Sequence, residues 1–363
     1  MVTSTRFAVA GIGAVAELHA ESIGDLENAT LVAGSCRTTE KGRAFADEYD
    51  CEWYEETESM LDETEPDVLA VCTPSGSHLE PTKAAAERGI DILCEKPLEI
   101  STKRIDEMLE AVDEAGVRLG GVFPQRYNPV VQQLRDAAAD DRFGDLSVVN
   151  TYVPWWRDDE YYGPDRWQGT EALDGGGALM NQSIHGIDAI QWLAGTAMSD
   201  LDGDVNPVEE VFAYTATRAH DSDLIEVEDT AVAVLKYRNG AVGQILGATS
   251  MYPGSLKRIQ IAGRDGTAEL LEDELVTWQF REESGDDEEI RGEFGEETDS
   301  GGGAADPMSI DYSNHRRNIG DFLDAISTDD PYMLDGTEAR KAVEIIESIY
   351  ESAETGQPVE IPR

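Results

Sequence analysis

Positive charge is what this sequence has least of: 28 lysines and arginines stand against 75 aspartates and glutamates, a formal charge of −47. Such a balance repels nucleic acid and anionic lipid at ordinary salt, so neither is expected as a partner. The carboxylates run along the whole chain and are not gathered into a tail, which reads as adaptation to molar salt. No apolar run reaches the ~18 residues needed to cross a bilayer. Met1 to Arg6 hold one basic residue and lead straight into an apolar strand, so a cytoplasmic protein without a leader is expected. Cysteine is sparse too. Cys36, Cys51, Cys72 and Cys94 form no CxxC pair and no histidine cluster accompanies them. No metal site is expected, and the thiols read as small buried hydrophobes in a reducing compartment.

At 363 residues the chain exceeds one ordinary core. Short apolar runs at Phe7–Ala10, Thr30–Ser35, Val68–Cys72, Asp91–Cys94 and Arg118–Val122 alternate with amphipathic stretches, the pattern of a doubly wound parallel sheet. From Ser147 onward longer alternating strands take over and predict a large, mostly antiparallel open sheet, interrupted by a helix over Asn181–Leu193. The expected class is thus α/β plus α+β, with a Rossmann domain over 1–124 and a substrate and oligomerisation domain over 125–363. The C-terminal helices are expected to pack back on the first domain. Glu282–Pro307, acidic and glycine-rich, reads as a solvated loop.

Directly after the first strand stands Gly11-Ile12-Gly13-Ala14-Val15-Ala16, a GxGxxA sequence opening a helix. Gly11 permits the turn, Gly13 lets backbone approach a pyrophosphate, and Ala16 allows close helix–strand packing. The N–H groups of the helix start, at Ala14 and Val15, face the phosphates. About 20 residues on, an NAD-preferring domain carries an acid. Here the place reads Ser35-Cys36-Arg37-Thr38. A guanidinium with flanking hydroxyls suits a 2′-phosphate, so NADP is expected to be preferred over NAD. The alternative is that Arg37 stacks on adenine.

Thr73-Pro74-Ser75-Gly76-Ser77-His78, then Cys94-Glu95-Lys96-Pro97, then Gly175-Gly176-Gly177-Ala178-Leu179-Met180-Asn181-Gln182-Ser183-Ile184-His185-Gly186-Ile187-Asp188, and finally Tyr350 to Gly356 carry a resemblance. With these motifs the sequence resembles the Gfo/Idh/MocA family of oxidoreductases along almost its whole length. The resemblance implies that Lys96 and His185 flank the substrate carbinol beside the nicotinamide, and that Pro97 follows a cis peptide. Many members carry Asp where Asn181 stands, so the division of labour between His185 and Lys96 is left open. A homodimer or homotetramer is implied by the resemblance alone.

The residue types agree with such chemistry. Loss of hydride from a carbinol leaves a proton that a near-neutral base must take, and imidazole is the side chain closest to that pKa, so His185 is the expected base. Lys96 would stabilise the developing oxyanion. Asn181, at i, i+4 spacing from His185, would orient substrate or imidazole. Thr73, Pro74, Ser75, His78, Glu95, Lys96 and Gln125 are further candidates for contact with the cofactor. His19 is expected near the cofactor or packed on the sheet, and Asp188 as a brace of the histidine region.

Arg126, Tyr127, Trp155, Arg157, Tyr161 and Trp167 combine aromatic faces with cations, a set that suits pyranose rings and their hydroxyls, carboxylates or phosphates. The expected function is NAD(P)-dependent oxidation or reduction of a sugar, polyol or nucleotide-linked pyranoside. Two alternatives remain at this point: a glycosidase of the family's type with transient redox of bound NAD, and a dinucleotide and sugar sensor without turnover.

Overall fold

A computed structural model describes residues 4–163, 166–295 and 312–363. They divide into two compact units: 4–124 with 312–340, and 125–295 with 341–363. The stretch 312–340, which follows the second domain's strands in sequence, therefore packs with the first unit. No helix among the described residues is long and apolar enough to cross a membrane.

The first unit holds β1 (Thr5–Ala10), α1 (Ala14–Gly24), β2 (Ala29–Ser35), α2 (Thr39–Tyr49), β3 (Glu52–Tyr54), α3 (Thr57–Thr64), β4 (Val68–Val71), α4 (Leu79–Ala86), β5 (Asp91–Cys94), α5 (Thr102–Ala115) and β6 (Leu119–Gly121). The strands form one parallel sheet in the order β3-β2-β1-β4-β5-β6. Helices on both faces leave no wet side, so Phe7 to Ala10 and Val68 to Val71 are fully buried continuous apolar runs. Strand order reverses between β1 and β4, where open α/β sheets bind ligands beyond their carboxyl ends. β3 escaped the sequence reading because three residues show no period.

The second unit begins with α6 (Pro129–Ala139) and β7 (Leu146–Pro154), followed by α7 (Glu171–Asp174), a π-helical turn over Ala178–Ser183 and α8 (Ile184–Thr196). Then come β8 (Val208–Ala216), β9 (Thr230–Tyr237), β10 (Val242–Ala248), β11 (Arg258–Gly263), β12 (Gly266–Leu271), β13 (Glu274–Phe280) and α9 (Asp287–Phe294). After α10 (Ser313–Thr328) of the first unit, α11 (Gly336–Thr355) leads to β14 (Val359–Glu360). The sheet runs β13-β12-β11-β7-β10-β9-β8-β14, with β7 and β10 parallel and every other pair antiparallel. One face packs on α8. On the other, among the described residues, Tyr214, Val232, Val234 and Val242 stand exposed on neighbouring strands.

The acidic stretch Glu282–Pro307 is corrected in part. Asp287 to Phe294 form α9, and Asp287 is buried, not solvated. Arg142 donates to both its oxygens at 2.8 Å, joined by Trp278 Nε1 and the Ser284 N–H, each at 2.7 Å. Such a fully bonded carboxylate anchors a helix start. Residues 296–307 of that stretch lie outside the described residues.

Candidate active site

In the first unit the chain leaves β1 at Ala10 and enters α1 at Ala14. Gly11 makes the turn at φ +90°, and a Cβ there would meet the backbone of Cys72 and Thr73 at 2.7–2.8 Å. No side chain caps α1 at Gly13, and a Cβ on Gly13 would meet nothing within 4 Å. The loop therefore offers bare helix N–H groups beside open space, which fits a dinucleotide pyrophosphate. Arg37 and Thr38 are exposed at the end of β2. Ser35, by contrast, is buried against the Thr57 hydroxyl at 2.9 Å, and the Cys36 thiol donates to Thr38 O, so these two side chains are occupied locally.

The loops after β4 and β5 are tied to each other by His78. Its Nδ1 lies 2.9 Å from Pro97 O and 3.1 Å from Leu98 O, and its Nε2 2.8 Å from Thr73 O. His78, expected as a cofactor contact, is buried with both ring nitrogens against backbone carbonyls and latches the two loops together. Thr73 likewise donates its hydroxyl to Ser77 O, and Ser75 is buried. The Lys96–Pro97 peptide is cis, as the family resemblance implied. Glu95 is buried and points its carboxylate at His19 Nε2, 2.8 Å away, while its other oxygen accepts the Lys96 N–H at 3.1 Å.

In the second unit His185 occupies the first turn of α8 and is partly exposed. A Cβ on the next residue, Gly186, would sit 2.3 Å from Thr151 Oγ1 of β7, so only glycine allows α8 to lie this close to the sheet. Asn181 stands in the π-helical turn before it, a wider turn than the plain helix assumed by i, i+4 spacing, and such turns recur at functional sites. Its amide donates to Asp174 Oδ1 at 2.7 Å and accepts from the Tyr161 hydroxyl at 3.3 Å and from Gln182 Nε2 at 3.0 Å. Gln182 also reaches the Tyr161 oxygen at 2.8 Å and accepts from Arg157 Nη2 at 2.9 Å. The Arg157 guanidinium lies over the Trp155 and Tyr161 rings, 5.1 and 5.6 Å from their centres. Burial and then the Asp174 charge push the Tyr161 phenol well above its usual range, so it serves as a donor and not as a base.

The structure thus gathers Asn181, Arg157, Trp155 and Tyr161 into one hydrogen-bonded and stacked set. Trp167 is half-buried and Tyr127 buried outside the bonds just named. Gln125 accepts from Lys257 Nζ at 2.9 Å. Arg126, expected as a substrate contact, is fully buried, its Nε and Nη2 bonded to Asp188 at 2.7 and 2.6 Å, and it lies over the Trp192 ring at 4.9 Å.

Sequence reading missed Asp174, Gln182 and Glu228. Glu228 takes the Gly177 and Leu179 N–H groups at 2.9 Å each and the Tyr350 hydroxyl at 3.1 Å, capping the π-helical turn from outside its own segment. A Cβ on Gly177 would lie 1.8 Å from Glu228 O, which explains the glycine run. Nothing local distinguishes Glu228 from the 74 other acids of this chain.

Comparison with known proteins agrees with this architecture. Residues 5–122 match the oxidoreductase family's NAD-binding Rossmann fold, and 135–361 its C-terminal alpha/beta domain. The WlbA dehydrogenase from Bordetella pertussis, solved in complex with NADH and UDP-GlcNAcA, is 31% identical with a TM-score of 0.87, and 99% of each chain is covered. D-xylose 1-dehydrogenase (NADP(+)) 2 of Haloferax volcanii is 26% identical over 97% of each chain. Myo-inositol 2-dehydrogenase of Thermotoga maritima is 26% identical over 72% of this chain and 73% of its own. Both family domains being matched on the fold that presents the dinucleotide loop, the chain belongs to the Gfo/Idh/MocA family and is an NAD(P)-dependent oxidoreductase.

Proposed function

We propose that this enzyme oxidises or reduces a carbinol carbon of a sugar or sugar derivative, with His185 exchanging the carbinol proton, Lys96 supporting the oxyanion and Asn181 positioning. The observation that carries the substrate class is the Arg157–Gln182–Tyr161–Asn181 network beside the histidine helix, a cluster of directional donors and acceptors with aromatic faces. That chemistry suits a polyhydroxylated ring. Relatives support it: the Bordetella enzyme was solved with NADH and UDP-GlcNAcA, and the Haloferax enzyme is a D-xylose 1-dehydrogenase.

The nicotinamide, when bound, supplies the hydride acceptor or donor. Everything else falls to the chain's own groups. The α1 N–H groups hold the pyrophosphate, and Arg37 favours NADP through its pairing with a 2′-phosphate. Asp174 fixes the Asn181 amide, so the amide oxygen stays turned to Tyr161 and Gln182. The charge of −47 supports work at molar salt, and four free thiols support a reducing, cytoplasmic setting. The open apolar sheet face carrying Tyr214, Val232 and Val234 supports a homo-oligomer.

The test is absorbance at 340 nm in molar salt with NAD or NADP and a panel of aldoses, polyols, glucosides and nucleotide sugars. Steady formation of reduced dinucleotide with one class is expected. Sugar binding without absorbance change would mark a sensor, and sugar cleavage without net reduction a glycosidase.

A further inference from the structure

His19 is fully buried on the helix that opens at the dinucleotide loop, five residues beyond Ala14. Its Nε2 meets Glu95 Oε1 at 2.8 Å, and the other Glu95 oxygen takes the Lys96 N–H at 3.1 Å. One carboxylate thus joins α1 to the backbone of the lysine step. Around it, His315 of α10 sets its ring edge-on to His19 with centres 6.3 Å apart, and Cys72 lies beside the same imidazole. A buried ion pair is weak evidence for stability, since apolar side chains of similar size would fill the space as well. What it confers is a fixed direction, because both oxygens of Glu95 are committed.

We propose that His19 is a positioning residue: through Glu95 it holds the Lys96 step in register with the helix that carries the dinucleotide loop. The loop that receives the phosphates and the lysine that serves the oxyanion are then placed by one shared contact. A misplacement of about 1 Å can cost some 100-fold in rate, which gives such a contact its value. The inference rests on the assignment of Lys96 to the oxyanion.

Four variants of the full chain test it: His19→Gln, which keeps a donor toward Glu95; His19→Leu with Glu95→Met, which removes both charges and keeps the volume; Lys96→Met; and the last two combined. The first readout needs no substrate. In competitive labelling of the dinucleotide-free protein with acetic anhydride, read by peptide mapping, the double variant should change the labelling of Lys96 at least about threefold. The other lysines should stay unchanged, and His19→Gln should remain near the parent. The second readout is kcat with the sugar found by the absorbance panel. The double variant should lose about 100-fold while its NADP affinity, from tryptophan fluorescence, moves less than about threefold. Adding Lys96→Met to it should cost no more than Lys96→Met alone.

Parent-like Lys96 labelling in the double variant overturns the proposal, as do losses that multiply in the combined variant. If the double variant fails to fold, Glu95→Gln, which can accept from only one of the two donors, must still alter Lys96 labelling or the proposal falls. Should Lys96→Met keep the parent's kcat, the functional reading fails, and the proposal fails with it. That result is read from a variant that leaves the His19–Glu95 pair intact, so the two failures are told apart.

Discussion

Arg126 and Asp188 form a two-pronged ion pair, 2.7 and 2.6 Å long, with both side chains at 0% exposure. It fastens the segment after β6 to the helix that carries His185. Removing one partner strands the other charge out of reach of water. Asp188→Ala or Arg126→Ala should therefore cost about 3–5 kcal/mol, whereas Arg126→Met with Asp188→Leu should cost far less. Urea unfolding midpoints at constant high salt measure this, and equal losses in single and double variants would contradict it.

His185→Ala should lower kcat by about 10²–10⁴-fold and leave dinucleotide affinity nearly intact. Asn181→Ala should be milder, because Gln182 and Tyr161 still bond to each other. In the parent, kcat/KM for oxidation should rise with pH through an imidazole ionisation that the histidine variant lacks. Full activity and an unchanged profile in the His185 variant would place the base elsewhere.

NADP should bind more tightly than NAD, and Arg37→Ala should weaken NADP by about 1.5–3 kcal/mol while leaving NAD alone. Arg37 is exposed, so its removal disturbs no core. Titration of both dinucleotides decides it: equal loss for both would mean that Arg37 only stacks on adenine.

The His19–Glu95 pair should shape the pH dependence of stability. Burial disfavours the His19 cation, but Cys72 and Glu95 outweigh it and lift the ring from 6.5 to about 10. Burial also disfavours the Glu95 anion, and His19 outweighs that, holding the carboxyl at about 2 against its usual 4.5. The raised histidine contributes fully below pH 6.5 and loses its contribution as pH climbs toward about 10. The depressed glutamate contributes fully above pH 4.5 and loses it toward about 2. Compared with the His19→Leu, Glu95→Met variant, the parent should thus gain most between 4.5 and 6.5 and lose its advantage on either side. A constant difference in Tm across pH 4–9 would refute the coupling.

The sequence by itself determined what depends on neighbours along the chain. Continuous apolar runs marked β1 and β4 because a parallel sheet buries both faces, and alternation marked β11, where Ile259 and Ile261 are buried beside the outward Arg258 and Gln260. The GxGxxA turn was legible because only glycine reaches φ +90° between that strand and helix at little cost. Tertiary structure alone decided which polar groups remain available for chemistry. Arg126 spends its guanidinium on Asp188, 62 residues away, and Arg142 spends its own on Asp287, 145 away. His78 is turned to carbonyls, Asp174 stands behind Asn181, and Glu228 caps a turn 51 residues earlier in the chain. Local spacing encodes the faces of helices and strands, whereas the partner of a buried charge is set by which distant segments each unit's fold brings together. With 75 acids on offer, only that juxtaposition separates the anchoring carboxylates from the solvated ones.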